Sequence, residues 1–360
     1  MNRTIHYILI FIIFSSLMAC RKSVADRQED RLRKADYFSN IFRLEKKIVL
    51  QFPSRVAPAS ILDAILLRNG MICVLTSGAK NGAYFFDVDG VFKKEIKPRD
   101  RFIREFGQPW QVESDADENI SILDLRRHKI FVFNSDGEYQ RIIDAPKTAS
   151  SFKISSANNY FFNSPVSTDE TTILVADKNG SPIRSFSLMP PNIQEILYYK
   201  TIVPDRPLVT LNTAGEIFQG FPITNTINKF NSDLHFVGSF QHALRRYNAP
   251  DVAAWKNAVK SSNREKEFNR LLSQTTLFTG LYCLTPKVIM AEFMNIADYH
   301  PRYLSFFTTD GEYINGEINF DKDEFGKLLR AENERLFSCR IEKVGRTSQY
   351  NLYVFLIPRL

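Results

Sequence analysis

Five segments of the chain repeat one outline, in which a β-rich run leads through a tight polar turn into a second β-rich run. They read YFFDVDGVFKKEI (84–96), IFVFNSDGEYQRII (130–143), TILVADKNGSPIRSF (172–186), INKFNSDLHFVGSF (227–240) and LSFFTTDGEYINGEI (304–318). Four of them carry Asp-Gly or Asn-Gly in the turn, and Ser232-Asp233 takes that place in the fourth. Because Asn, Asp and Gly tolerate a positive φ, such dipeptides between β-rich runs are a strong hairpin signal. Each segment is therefore predicted to be a β-hairpin.

The turns recur at intervals expected for units of four strands. Intervals of 47, 43, 53 and 78 residues separate the turn residues Asp89, Asp136, Asn179, Ser232 and Asp310. The last interval contains a polar, helix-like stretch at about 241–275, and without those 35 residues the spacing is again 43. A period in the 40s with four strands per unit is typical of a β-propeller.

Each unit also has a front half of two predicted strands, and a sixth unit is divided between the two ends of the chain. The front halves lie at 60–75, 110–123, 151–163, 207–220 and 280–293. The segments 328–343 and 348–357 supply three strands of the sixth unit, and EKKIVLQF (45–52) is predicted to supply the fourth. This closure would remove two open sheet edges. The sequence therefore predicts one all-β domain at 45–360, a six-bladed β-propeller whose last blade is closed by an N-terminal strand, with a small helical insertion.

The first twenty residues have the features of an export signal. Arg3 precedes the charge-free apolar run from Tyr7 to Ala19. A helix of this length is shorter than the roughly 20 residues that span a bilayer, which favours a signal peptide at 1–19. The sequence Leu17-Met18-Ala19-Cys20 resembles the lipobox of bacterial lipoproteins, in which the cysteine becomes the acylated N-terminus. An ordinary cleaved signal followed by a chance cysteine is the alternative.

The excess of positive charge lies mostly beside the predicted anchor. The chain has a net charge of +7, and residues 20–47 contain nine Lys or Arg and five Asp or Glu. The segment 20–44 is predicted to be a lipid-anchored tether, either held against anionic head groups or a solvated linker. The body beyond it is close to neutral, so no nucleic-acid partner is expected. Arg21 follows the cysteine, where Asp marks inner-membrane retention in some bacteria, so the outer membrane is favoured.

The lipobox at 17–20 and the repeated strand–turn–strand units together resemble a known group of proteins. The chain is similar to six-bladed β-propeller lipoproteins of the bacterial cell envelope, related in outline to NHL-repeat and TolB-like propellers. The resemblance covers nearly the whole chain and implies a propeller in the periplasm, held on a membrane by a lipid on Cys20. It is specific for the fold and weak for function, because propellers carry many unrelated activities.

The two faces of the predicted propeller differ in the length of their loops. We call the first face the one formed by the turns between first and second and between third and fourth strands, which are short. The second face carries the loops between second and third strands and the crossovers between blades, including 189–206 and 241–275. Variable loops on a rigid scaffold often carry binding sites, so the binding face is predicted here. Its candidate residues are Trp110, His128, Tyr198, Tyr199, Trp255, Tyr299 and His300.

The insertion at about 241–275 has the pattern of two amphipathic helices. Asn248-Ala-Pro250-Asp251 is a predicted helix start, and Ser262 with Glu265 matches a capping box. Trp255 lies on the apolar face of the first helix, which indicates packing onto the propeller rim. The alternative is a lid or partner-binding element with Trp255 as its anchor, since Trp is enriched at the centres of protein interfaces.

A metal-dependent enzyme is the main alternative to a binding function. Some six-bladed propellers are lactonases or esterases that hold a divalent metal at the channel mouth with acidic and amide side chains. Asp63, Glu113 and Asn212 lie on predicted innermost strands, and their oxygens would suit Ca²⁺. Many polar residues line any propeller channel, so these three are weaker candidates than the loops of the second face.

No other catalytic or metal-binding motif stands out. The sequence contains no GxSxG, P-loop, GxGxxG or HExxH, and no cysteine spacing indicates zinc. Cys73, Cys283 and Cys339 lie in apolar runs and are expected to be buried thiols, although one pair could form in an oxidising periplasm. The sequence therefore favours a non-catalytic binding scaffold for a protein or glycan partner, with no cofactor.

Overall fold

A computed structural model describes residues 32–78, 81–164, 171–188, 208–241, 245, 247–295, 302–332, 334–345 and 347–357. Within these ranges the chain forms six antiparallel sheets of four strands each, arranged as the blades of a propeller. The prediction of a six-bladed β-propeller is therefore confirmed.

The first five blades follow the order of the chain. Blade 1 contains β2 (Pro58–Leu66), β3 (Ile72–Gly78), β4 (Gly82–Phe86) and β5 (Phe92–Ile96). Blade 2 contains β6 (Pro109–Ser114), β7 (Ile120–Asp124), β8 (Lys129–Phe133) and β9 (Tyr139–Asp144). Blade 3 contains β10 (Ser151–Ile154), β11 (Tyr160–Asn163), β12 (Thr171–Ala176) and β13 (Pro182–Leu188). Blade 4 contains β14 (Val209–Leu211), β15 (Ile217–Gly220), β16 (Thr226–Phe230) and β17 (Phe236–Gln241). Blade 5 contains β18 (Thr276–Thr285), β19 (Val288–Asn295), β20 (Arg302–Thr308) and β21 (Tyr313–Phe320).

Blade 6 joins the two ends of the chain. It contains β22 (Lys327–Glu332), β23 (Arg335–Val344), β24 (Thr347–Leu356) and, as its outer strand, β1 (Arg43–Leu50). Ile48 lies opposite Leu352 in the register, and Leu50 lies opposite Tyr350. The predicted closure by an N-terminal strand is confirmed, and the strand begins two residues earlier than the sequence indicates.

Each blade packs against its neighbours through both of its faces. The middle strands are consequently continuous apolar runs without alternation, as in the buried KIFVF of β8. The first strand of each blade contacts the first strands of the adjacent blades, so β2, β6, β10, β14, β18 and β22 form a closed ring. This ring places their polar side chains around the central channel.

The chain preceding β1 packs against blades 5 and 6. Leu32, the short helix α1 (Phe38–Ile41) and Phe42 share a buried cluster with side chains of these blades. The Asn315 side chain donates hydrogen bonds to the carbonyl oxygens of Leu32 and Ala35, at 2.7 and 2.6 Å. Arg33 pairs with Glu312, in the turn between β20 and β21. The predicted tether therefore includes a packed portion from residue 32 onward, whereas residues 20–31 lie outside the described residues.

The tight turns share one backbone geometry. In the turn after β4, the Asp87 amide donates to the carbonyl of Val91 and the Gly90 amide donates to the carbonyl of Asp87, at 3.1 and 3.0 Å. The Asp87 carboxylate accepts from the amides of Asp89 and Val91. Gly90 has a φ of +80°. This is a three-residue loop with a bulge at the glycine, so only one of the two residues in Asp-Gly has the positive φ.

In the described part of the chain, three further helices lie in the connections of the second face. The crossover from blade 4 to blade 5 contains α2 (Val252–Lys260) and α3 (Arg264–Ser273), and the next crossover contains α4 (Lys322–Phe325). Asp251 caps α2 by accepting from the Ala254 amide at 3.0 Å. The predicted capping box at Ser262 is wrong, because α3 begins one residue later with Asn263 as its N-cap and without a side-chain hydrogen bond.

Candidate functional site

The central channel contains a cluster of four charged side chains and one amide, buried except for the partly buried Lys153, which we call the channel cluster: Asp63, Gln111, Glu113, Lys153 and Arg330. One Arg330 amino group lies 2.8 Å from a Glu113 carboxylate oxygen, and the other donates to the Val112 carbonyl at 2.9 Å. Lys153 pairs with the same Glu113 oxygen at 2.7 Å. The cluster thus joins β6, β10 and β22, the inner strands of blades 2, 3 and 6.

The remaining members of the channel cluster add further hydrogen bonds. The Gln111 carboxamide donates to Glu113 at 2.7 Å and accepts from the Phe152 amide at 3.0 Å. Asp63 accepts from the backbone amides of Ala64 and Val112, and its carboxylate is 3.9 Å from Arg330. Two carboxylates therefore face two cations, so the formal charges of the cluster cancel.

The charges around Glu113 keep it ionised. Burial by itself raises the pKa of this carboxyl, but the positive charges of Arg330 and Lys153 more than offset that effect and hold the pKa below its ordinary value. A carboxylate with these partners is a poor general acid near neutral pH. Its role in this arrangement is to join three blades.

The three candidate calcium ligands do not fit a calcium site. Asp63 and Glu113 are brought together, but around a guanidinium and an ammonium group that already balance their charge. Asn212 lies in the turn after β14, where its carboxamide oxygen accepts from the amides of Ala214 and Glu216. No group of three or more His, Cys, Asp or Glu within the described ranges could hold a metal ion.

A second buried charged pair, which sequence patterns did not reveal, lies in blade 5. Arg302 on β20 pairs with Glu292 on β19, and the Tyr282 hydroxyl donates to the same carboxylate at 3.2 Å. Gly280 has no side chain and so leaves space for this carboxylate, because a Cβ there would lie 2.7 Å from the Glu292 oxygen. The pair is enclosed within the blade, which indicates a structural role.

The three described cysteines are free thiols. Cys73 and Cys339 are buried and Cys283 is partly buried. Burial raises the pKa of Cys73, and it raises the pKa of Cys283 to about 12. Because the thiolate is the reactive form, neither of these two thiols is activated as a nucleophile.

The first face is strongly acidic. Within the described residues, its turns contain thirteen Asp or Glu and three Lys or Arg. The acidic residues are Asp87, Asp89, Asp115, Asp117, Glu118, Asp136, Glu138, Asp177, Glu216, Asp233, Asp310, Glu312 and Glu334, and the basic ones are Arg68, Lys178 and Lys287. Several of the acidic side chains cap their own turns, so this face is built from short, internally bonded loops.

Three connections of the second face are joined by one buried carboxylate and one backbone bond. The Asp124 carboxylate accepts from the amides of Gly107, Gln108 and Arg127, at 2.6, 3.0 and 3.1 Å. The Ala145 amide donates to the carbonyl of His128 at 3.0 Å. The connections 97–108, 125–128 and 145–150 are thereby held side by side, and we call them the basic ridge because their exposed side chains are mainly Arg and Lys.

The candidate binding residues are not gathered into one site. His128 is partly buried in the basic ridge with a φ of +52°, and Trp110 is a partly buried residue of β6 that packs on the core between blades 1 and 2. Trp255 is only 1% exposed and packs against Phe268 and the core of the helical pair. The hypothesis of Trp255 as an exposed anchor is therefore corrected, because its indole stabilises the helices against the rim. The other candidates lie outside the described residues: Cys20, Tyr198, Tyr199, Tyr299 and His300.

The part of the chain that the structure describes contains no helix long and apolar enough to cross a bilayer.

Comparison with known proteins identifies the family. A family model described as DUF5128, a 6-bladed beta-propeller, matches residues 21–315. No curated protein matches the sequence. Among solved structures, a member of the DUF4221 family from Bacteroides vulgatus is 11% identical with a TM-score of 0.60, covering 89% of this chain and 98% of that chain.

Two lyases have a similar fold. A streptogramin B lyase is 12% identical with a TM-score of 0.52, covering 86% of this chain and 87% of that chain. A virginiamycin B lyase from Staphylococcus aureus is 12% identical with a TM-score of 0.51, covering 84% and 83%. At such identities the likeness extends to the fold alone. Since the family model matches most of the sequence, this chain belongs to the DUF5128 family of six-bladed β-propellers.

Proposed function

We propose that this protein is a lipoprotein of the bacterial cell envelope, with an NHL- or TolB-like propeller that binds a protein or glycan partner through its second face. The observation that carries the proposal is the contrast between the channel and the second face. The ionisable groups of the channel cluster satisfy one another, whereas the basic ridge presents exposed cationic side chains on connections held in place by Asp124. Rigid loops with exposed charged side chains suit recognition of a partner.

The membrane attachment in this proposal is supported by the sequence at residues 1–20. The apolar run and Leu17-Met18-Ala19-Cys20 match an export signal with a lipobox. Arg21 after the cysteine favours the outer membrane. Acylation of Cys20 would supply more than one acyl chain, which holds a protein on a bilayer far more stably than a single chain does.

The packed segment 32–42 gives the anchored propeller an orientation. Arg33 pairs with Glu312, and Asn315 bonds the backbone at Leu32, so the chain arrives on the side of the first face, at blades 5 and 6. The eleven residues between Cys20 and Leu32 can span about 40 Å when extended. In this proposal the packed segment leaves the propeller on the side of the first face, and the partner binds at the opposite face.

Lipid attachment is tested in cells by Cys20→Ser. We expect the wild-type protein in the membrane fraction and the variant in the soluble envelope fraction, since the acylation site is removed. Equal membrane association of the two proteins would contradict the anchoring.

Partner binding by the second face is tested with photo-crosslinking residues placed at two exposed positions. Arg126 lies on the second face and Asp136 lies in a turn of the first face. We expect crosslinked products from position 126 and none from position 136. Crosslinks from position 136 alone, or from both positions equally, would argue against the second face as the binding surface.

The alternative, a metal-dependent lactonase or esterase, is less well supported because Asp63 and Glu113 are already paired with Arg330 and Lys153. Thermal unfolding with Ca²⁺ and with chelator separates the two functions, because a metal bound to the native state raises its stability. We expect the same melting temperature in both conditions. A calcium-dependent rise would restore the enzyme hypothesis.

A further inference from the structure

We propose that the basic ridge binds an anionic polysaccharide, a sugar polymer that carries carboxylate, sulfate or phosphate groups. This inference deepens the proposed function, and it rests on that function for the choice of a sugar polymer rather than a nucleic acid, because the partner is met in the cell envelope.

The basic ridge is rich in exposed cations. The connection between blades 1 and 2 presents Lys97, Arg99, Arg101 and Arg104, all exposed. The neighbouring connections add Arg126, Arg127 and Lys147, which are also exposed. Asp100 and Glu105 are the acidic residues within the three connections, and two of the cations pair with flanking carboxylates, Lys97 with Glu95 at 3.3 Å and Arg127 with Asp124 at 3.9 Å. Five of the seven cations are arginines, whose planar guanidinium groups bind carboxylate, sulfate or phosphate in a bidentate manner.

The three connections of the basic ridge are joined to one another through their backbones. Asp124 bonds the backbone at residues 107 and 108 on one side and at Arg127 on the other. The bond from the Ala145 amide to the His128 carbonyl continues the ridge to the connection that carries Lys147. Since the backbone is ordered before binding, a ligand loses less of its binding free energy to ordering the loops.

Phe102 is a large exposed apolar side chain in the connection of this ridge that joins blades 1 and 2. It is 84% exposed, and its amide donates to the Asp100 carboxylate at 3.0 Å, which fixes the turn that presents it. The Arg101 guanidinium lies 5.4 Å from the ring centroid. The ring is thus placed among cations with one face accessible, where it can stack on the apolar face of a sugar. A sugar with an anionic substituent would engage the ring and an arginine together.

The ridge extends over three neighbouring connections of the second face, which favours a chain-like ligand. Its three connections belong to successive positions around the ring: the crossover from blade 1 to blade 2, the loop within blade 2, and the crossover from blade 2 to blade 3. Cations along such a stripe match a polymer with repeated anions better than they match a single small anion.

The first face carries the opposite charge, which favours binding of a polyanion at the second face. The turns of the first face carry thirteen acidic and three basic residues in the described part of the chain, and Arg33, Lys46, Lys93 and Lys229 pair with five of these carboxylates from outside the turns. The excess of negative charge that remains repels a polyanion, which is attracted to the ridge instead. Leu32, the first described residue, also lies on the side of the first face. A soluble or cell-surface polyanion therefore suits the ridge better than the lipid head groups of the anchoring membrane do.

The experiment measures binding of the full-length protein, purified in detergent, to dextran sulfate and to polygalacturonate, with neutral dextran as the uncharged control. We expect binding to both anionic polymers, weakening as salt is raised, and none to dextran. The double variant R101E/R104E should reduce the affinity by about tenfold or more, because two attractive charges become repulsive. The matched variant K256E/R264E, at exposed cations of α2 and α3 on the same face, changes the net charge equally and should reduce it less than about threefold.

Phe102→Ala tests the stacking contact against Phe236→Ala, which removes another exposed phenylalanine far from the ridge. We expect the first variant to weaken binding severalfold and the second to leave it unchanged. The proposal would be overturned if R101E/R104E and K256E/R264E reduced the affinity equally, or if neither polymer bound. It would also be overturned if the protein bound anionic phospholipid vesicles or an oligonucleotide more tightly than the polysaccharides. In each of these cases, crosslinks from position 126 would still support partner binding by the second face.

Discussion

At the scale of single residues, one backbone torsion explains most of the hairpin signal in the sequence. In nine turns of the described residues the fourth residue has a positive φ, and six of these residues are glycines: Gly70, Gly90, Gly137, Gly180, Gly215 and Gly311. The other three are Glu118, Asn158 and Leu234. Asp-Gly and Asn-Gly located the turns correctly because glycine adopts this torsion without strain. Glu118 and Leu234 give no such signal, since the surrounding hydrogen bonds impose the torsion on them.

Two glycines have nearly equal φ values but differ in the space around them. Substitutions at these two positions therefore measure the energetic cost of the positive φ separately from the cost of steric crowding. Gly90 and Gly215 have φ values of +80° and +79°. A Cβ at residue 90 would lie 2.2 Å from the Val49 carbonyl oxygen, whereas the nearest atom at residue 215 is 3.4 Å away. We expect Gly215→Ala to lower the free energy of unfolding by about 1 kcal/mol, and Gly90→Ala to lower it by at least about 2 kcal/mol more. Urea unfolding measures both, and equal losses would show that the approach of β1 to the turn is looser than the structure has it.

At the scale of secondary-structure elements, β1 shows what sequence patterns can predict about packing, and the helical pair shows what they cannot. The strand-like run at 45–52 and the three-strand pattern at 328–357 predicted the closure of blade 6, because an unpaired edge needs a partner. The helical pair was predicted from its apolar spacing, but that spacing is the same for a helix packed on the rim and for a helix awaiting a partner. Only the tertiary contacts of Trp255 with Phe268 and the blade core decide between them.

Adjacent residues of β1 provide a test of the closure. Ile48 is 5% exposed in the core between blades 6 and 1, while Val49 points outward and is 39% exposed. We expect Ile48→Ala to reduce the free energy of unfolding by about 2–4 kcal/mol and Val49→Ala by less than about 0.5 kcal/mol. Hydrogen exchange should show faster exchange of β24 amides in the first variant only. Unchanged protection of β24 in Ile48→Ala would mean that β1 adds little to blade 6.

At the scale of the whole molecule, the sequence predicted the number of blades but not which side chains meet in the channel. A period in the 40s and the polar turns are local features that every blade repeats. Arg330 and Glu113 are 217 residues apart, and their pairing depends on the closure of the ring. Asp63 and Glu113 were identified as channel residues, but the cations that balance them were missed because isolated Arg and Lys residues in apolar strands carry no motif. The basic ridge was also missed, because its cations come from three separate connections and form no motif in the sequence.

The channel cluster makes stability depend on pH in a defined direction. The folded-state pKa of Glu113 lies below its ordinary value of 4.5, so its stabilising effect is complete above that value and is lost as the pH falls through the folded-state pKa. We expect Glu113→Gln to lower the free energy of unfolding by about 3 kcal/mol at pH 7, because Arg330 and Lys153 lose a buried counter-charge.

Urea unfolding at several pH values checks this prediction. The difference between wild type and Glu113→Gln should shrink as the pH falls below the ordinary glutamate range. Glu138→Gln, at an exposed carboxylate that accepts from the Asn134 side chain at 3.0 Å, is the control and should change stability by less than about 0.5 kcal/mol. A difference for Glu113→Gln that stays constant with pH would show that the carboxylate is not the titrating group.

The closure of blade 6 also determines when, during synthesis and folding, the ring of blades can close. Glu45 in β1 and Arg335 in β23, which pair through their side chains, are 290 residues apart, so the strand synthesised first is among the last to find its partners. Contacts of such long range slow folding and lengthen the time during which sheet edges are exposed. Blades 1 to 5 can form as the chain emerges, but the ring stays open until β24 has been made. A nascent chain of this protein must therefore keep β1 unpaired, and protected from aggregation, until β24 has been synthesised.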